Sequence, residues 1–158
     1  MKKLVLIICI FLLCSCTKFE SKDYKNYKNY INELKTSQST NNNLPFDIEI
    51  ILDKVIETEV TYRVIIDNPK VALRNIEALV IHDKYTKDIF PSVGIFDDRL
   101  NLIPNVINKS SNYVEGIILV GYIPFEEDIK NLNANFKLLF KYEDDNNNIK
   151  TIIYSTNK

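Results

Sequence analysis

Short runs of alternating apolar and polar residues dominate the chain from Pro45 onward. Phe46-Asp47-Ile48-Glu49-Ile50 alternates apolar and acidic positions, the period of a half-buried strand. Thr58 to Asp67 (TEVTYRVIID) places Val60, Tyr62, Val64 and Ile66 on one face, and Asn68-Pro69 then breaks it. Asn75 to His82 (NIEALVIH) is a third candidate. The stretch 89–96 (IFPSVGIF) is apolar but interrupted by Pro91 and Gly94, which predicts an edge strand or a bent loop. Tyr113 to Ile123 (YVEGIILVGYI) is the strongest strand pattern and ends at Pro124. Phe136 to Glu143 and Ile149 to Ser155 form a last pair across Asp144-Asp145-Asn146-Asn147-Asn148, a natural hairpin turn. Asp128 to Leu132 fits one short helical turn. About seven short strands with turns between them predict an all-β domain, an immunoglobulin-like antiparallel β-sandwich. A closed barrel is the alternative.

The N-terminal part has a different texture. Lys2-Lys3 precede Leu4 to Leu13, which are apolar throughout, the layout of an export signal. This run is too short to span a bilayer, which takes about 20 apolar residues. Leu13-Cys14-Ser15-Cys16 follows. It resembles the lipobox of bacterial lipoproteins: an aliphatic residue, a small one, then Gly, Ala or Ser, then Cys. Leu13, Ser15 and Cys16 match, while Cys14 is a less usual second residue. The resemblance implies a diacylglycerol on the Cys16 sulfur and cleavage between Ser15 and Cys16. It also implies a protein held at the cell membrane, on its extracytoplasmic face, with no transmembrane helix. Two acyl chains hold a protein far more firmly than one. From Thr61 to Tyr154, the stretches YRVIIDNP, FPSVGIF and GIILVGYIPF are similar to small sandwich-domain lipoproteins of low-GC Gram-positive bacteria.

Three parts are therefore expected: a signal peptide over 1–15, a short helical and flexible tether over 16–45, and the sandwich over 46–158. Within the tether, Tyr24, Tyr27, Ile31 and Leu34 share one helical face, and Ser21 can cap its start. That face packs on the domain, frays in water, or lies on the membrane. Thr36 to Leu44 has no period and almost no apolar content, which predicts a flexible linker.

Composition narrows the chemistry. Of the three cysteines, Cys9 and Cys14 lie in the signal and Cys16 carries the proposed lipid, so the mature domain has no disulfide. The chain has 20 basic and 21 acidic residues, and loss of Lys2 and Lys3 makes it more acidic. That balance argues against a nucleic-acid partner. His82 is the lone histidine and falls in the core phase of its strand. No nucleophile motif accompanies it; Pro91-Ser92-Val93-Gly94 lacks the first glycine of G-x-S-x-G. One His and no mature thiol exclude the usual zinc sets. The acidic groups Asp97-Asp98, Glu126-Glu127-Asp128 and Glu143-Asp144-Asp145 lack the calcium-loop spacing and fit solvated turns. Three glycines build no phosphate cradle. No cofactor and no metal are expected.

The candidate partner surface is the apolar set Phe90, Val93, Ile95 and Phe96, joined by Tyr122 and Phe125. The competing account, which is favoured, is that these residues fill one end of the core. The functional expectation is a non-enzymatic, lipid-anchored binding or accessory module. Its partners would be the membrane, through the anchor, and an envelope protein or cell-wall component. The alternatives are an anchored hydrolase using paired carboxylates and a structural or immunity lipoprotein.

Overall fold

The strand-period runs become seven strands in two sheets. The computed structural model describes residues 22–40, 42–84, 92–107 and 111–158. Helix α1 (Lys22–Thr36) is followed by β1 (Asp47–Ile56), β2 (Glu59–Asp67), β3 (Leu73–His82), β4 (Ser92–Leu102) and β5 (Ile117–Pro124). A 3-10 turn (Ile129–Asn131) leads into β6 (Asn135–Glu143) and β7 (Ile149–Asn157). One sheet has the order β1-β2-β5 and the other β4-β3-β6-β7, and all ladder pairings are antiparallel. This is an immunoglobulin-like sandwich in which β4 lies beside β3. In the constant-domain arrangement the fourth strand pairs instead with the fifth.

The main core lies between the sheets. Val60, Tyr62, Val64 and Ile66 of β2 face Leu73, Ile76, Ala78 and Val80 of β3, with Phe136, Leu138 and Phe140 of β6 beside them. The burial of β2 alternates along its length, as its sequence period requires. Asparagine takes most of the special backbone positions. Asn43, Asn68, Asn75, Asn105 and Asn147 have positive φ, as does Arg99, and no glycine does. Asn tolerates the left-handed region because its short side chain bonds locally. In the β6–β7 turn Asp144 accepts the backbone N–H groups of Asn146 and Asn148, both at 2.9 Å. The Asn148 bond, first among several, holds the Asp144 carboxyl below the usual carboxylate range.

A second apolar cluster sits on the outer face of the four-stranded sheet. Ile31 and Leu34 of α1 cover Leu79, Ile81, Leu139 and Ile153, with Tyr27, Tyr30 and Phe96 at its margin. Tyr27, Ile31 and Leu34 of the expected face thus pack on the domain, while the Tyr24 side chain lies outside the described residues. Strand β3 is buried on both faces for this reason, which explains its unbroken run Ala78-Leu79-Val80-Ile81. Two lysines of β6 fasten the helix. Lys137 Nζ donates to the carbonyls of Leu34, Lys35 and Ser37, each at 3.3 Å. A cation there complements the negative end of the helix dipole. Lys141 Nζ reaches Glu33 at 2.9 Å and lies 4.2 Å over the Tyr30 ring.

The stretch expected as a flexible linker is tied down at Thr40. Its N–H donates to the Ile153 carbonyl at 2.6 Å, and its Oγ1 accepts the Ile153 N–H at 3.2 Å. The chain therefore passes along the free edge of β7 on its way to β1.

Candidate partner-binding face

The expected surface residues are distributed over three places. Val93 and Ile95 are half-buried and pack on the main core, because β4 pairs with β3 and shares its inward phase. Phe125 also packs on that core, and its N–H donates to the Thr58 carbonyl at 3.0 Å. Phe96 points the other way, to the helix side, where its ring stacks on Tyr30 at 5.5 Å and meets Tyr27 edge-on at 6.0 Å. Tyr122 lies on the outer face of the three-stranded sheet and is 58 % exposed. Phe90 and Cys16 lie outside the described residues. The described side chains of the set do not form one patch.

A different apolar surface is present. Strand β5 alternates buried and exposed along its length, and its exposed phase is itself apolar. Ile118 is 59 % exposed and Val120 is 42 % exposed, in line with Tyr122. Their neighbours across the ladder are Ile65, Arg63 and Thr61 of β2. Arg63 also pairs with Asp53 of β1, so the apolar stripe has a charged rim. An apolar centre with a polar margin is the anatomy of a protein contact surface. The sequence signal for it was the uninterrupted run GIILVGYI, apolar in both phases. β3 carries a similar run, and α1 covers it. No described element covers β5.

The edge itself is also unlike the others. The β7 edge is engaged at Ile153 by Thr40. The β1 edge carries Asp47, Glu49, Asp53 and Lys54. The β4 edge is broken by a bulge, since Ile95 and Leu100 face Ala78 and Ile76 and residues 96–99 loop out. β5 has no charged residue. Uncharged, uncovered edge strands are ready templates for another chain.

Two buried aromatic groups hold β5 in place from within. Tyr62 lies opposite Gly121, and its ring occupies the space a Cβ at that position would need. His82 is 5 % exposed and packs edge-on to Tyr62 at 5.4 Å. Its Nδ1 accepts the Lys84 N–H at 3.1 Å. The ring also hydrogen-bonds the backbone of Tyr122. Burial, opposed by that bond, holds the His82 imidazole below its usual pKa. The neutral imidazole is therefore a core fixture, and it fixes the backbone of Tyr122 while the phenol points to solvent.

The opposite side of the molecule has a polar groove of about 690 Å³ beside α1, lined in part by Tyr30, Glu77, Phe96, Arg99, Lys141 and Glu143. Two of its three carboxylates are engaged: Glu77 accepts from the Tyr30 hydroxyl at 2.8 Å and Glu143 from Asn75 Nδ2 at 2.7 Å, while Asp97 also lines the groove. Burial and then the Glu77 bond push the Tyr30 phenol up to about 12. Among the described residues, no three His, Cys, Asp or Glu side chains are grouped to hold a metal ion.

The fold and its uncovered strand define an all-β sandwich domain with a candidate contact face. Comparison with known proteins returns no matching family model, no matching curated protein and no matching solved structure.

Proposed function

We propose that the protein is a membrane-anchored, extracytoplasmic lipoprotein that serves as a non-enzymatic binding module for another envelope protein. The observation that carries the binding role is the stripe Ile118, Val120 and Tyr122 on an uncharged edge strand. Three aligned apolar side chains lose free energy to water while exposed, at about 25 cal/mol per Å² of apolar area. A partner that covers them recovers it. The lipobox-like Leu13-Cys14-Ser15-Cys16 supports the anchor. The commitment of His82 to the core, and of Glu77 and Glu143 to hydrogen bonds within the fold, supports a binding role over catalysis.

Two measurements test this reading. Cys16→Ala should abolish incorporation of radiolabelled palmitate, and unchanged labelling would remove the anchor. A photo-crosslinking amino acid at Val120 in the full-length protein in cells should give a discrete adduct that is lost when Tyr122→Lys is added. Absence of any adduct at Val120, or an adduct indifferent to Tyr122→Lys, would remove the binding face.

A further inference from the structure

We infer that the end of the sandwich at which α1 begins rests against the bilayer, with Val71, Ile107 and Ile149 in contact with lipid. This rests on the reading of Cys16 as the lipid anchor. The direction of α1 comes from its partners on β6. The carbonyls of Leu34, Lys35 and Ser37 lie at Lys137, whereas Glu33 and Tyr30 lie at Lys141. The helix therefore runs opposite to β6, and its start points to the end where β6 turns into β7. From Tyr30 back to Lys22 the helix extends about 12 Å. From Lys141 to the end of β6 at Glu143 is only about 7 Å. The helix thus begins at or beyond the end of the sandwich that carries the β2–β3, β4–β5 and β6–β7 connections.

The distance to the anchor is short. From Cys16 to Lys22 the extended chain reaches at most about 20 Å. A ten-residue strand such as β3 is longer, about 33 Å, so the anchor cannot bring the opposite end to the bilayer. Among the described side chains, the solvent side of α1 carries Lys25, Asn26, Lys28, Asn29, Asn32 and Lys35 and nothing apolar to bury, which argues against the domain lying on that flank. The end surface is different. Val71 is 45 % exposed, Ile107 94 % and Ile149 72 %, one on or beside each of its three connections. Aliphatic tips of this kind enter the boundary between headgroups and acyl chains. Among the described residues beside them, Lys70 pairs with Asp47 at 3.1 Å, Arg74 with Asp145 at 2.6 Å, and Lys150 with Asp144 at 3.6 Å. The contact is therefore apolar and does not depend on anionic lipid.

The experiment uses the processed, lipidated protein in phosphatidylcholine vesicles that carry a headgroup nitroxide. Single cysteines are introduced as Val71→Cys, Ile107→Cys and, in the β1–β2 turn at the far end, Glu57→Cys. Each is labelled with a small fluorophore; the acylated Cys16 cannot compete for the label. Positions 71 and 107 should be quenched several-fold more than position 57, with no change on adding salt or phosphatidylglycerol. Equal quenching at the three positions, or stronger quenching at 57, would overturn the inference. Flotation of the same samples separates the two readings. Protein that floats with the vesicles but leaves position 107 unquenched refutes the docked end alone. Protein that fails to float refutes the anchor, and the docked end with it.

Discussion

Leu34→Ala asks whether α1 is a fastened layer of the domain or an ornament on it. Leu34 is fully buried beneath α1, against Leu79, Ile81, Leu139 and Ile153. The substitution removes three carbons from closed packing, at a cost of about 2–4 kcal/mol. That cluster is separate from the core between the sheets, so the loss should fall on helix docking and spare the sandwich. A 15-residue helix is marginal on its own in water, so an undocked α1 is also an unfolded one. A cost of about 3 kcal/mol multiplies the undocked population by roughly a hundred. Hydrogen exchange read residue by residue is the assay. Amides of α1 should exchange about a hundredfold faster, while those of β2 and β5 keep their protection. If α1 stays protected, or if β2 loses protection by the same factor, the two clusters are not independent and the reasoning fails.

Three further outcomes follow from the geometry. Gly121→Ala should destabilise by about 1–3 kcal/mol, because the buried Tyr62 ring must move. Thermal unfolding should show this as a Tm lowered by roughly 3–10 °C. His82 has a folded pKa below the usual value of 6.5, so between those two values the unfolded chain binds more protons. Stability should therefore be complete above about pH 6.5 and decline as pH falls below it, and urea titrations should show the decline flattened in His82→Gln. Lys137→Met removes the cation from three helix-terminal carbonyls and should loosen the last turn of α1 by about 1 kcal/mol. Faster exchange confined to that turn is the expected reading, and salt should blunt the difference between the two proteins.

The strand pattern was legible wherever one face is buried and the other wet. β2 and β6 begin and end within a residue of where TEVTYRVIID and FKLLFKYE place them. The pattern misled at Tyr113 and Val114, which do not begin β5. They turn instead toward β4, where the Val114 N–H donates to the Asn101 carbonyl at 3.0 Å. β4 ran on through Asp97-Asp98-Arg99, where a bulge absorbs charges that looked like a strand end. The partner face was harder to read. Strands β3 and β5 are both apolar in two phases, and local pattern cannot say which one a distant helix will cover. That choice was made by contacts between α1 and β6, more than a hundred residues apart in the chain. For the same reason a polar linker looked free, although Thr40 finds its partner only at Ile153.

Those separations have a consequence for the order of events. Glu33 meets Lys141 across 108 positions, and Thr40 meets Ile153 across 113. In a chain exported from its N-terminus, α1 and the segment after it emerge first yet must wait for the last two strands before they can dock. During that interval α1 itself is undocked chain. For the lipid anchor we propose, a modifying enzyme and a peptidase would then meet an open substrate, with closure of the domain onto α1 coming last. Under that proposal the topology of the sandwich itself favours acylation before closure, and a variant that slowed the arrival of β6 and β7 would lengthen the time in which Cys16 could be modified.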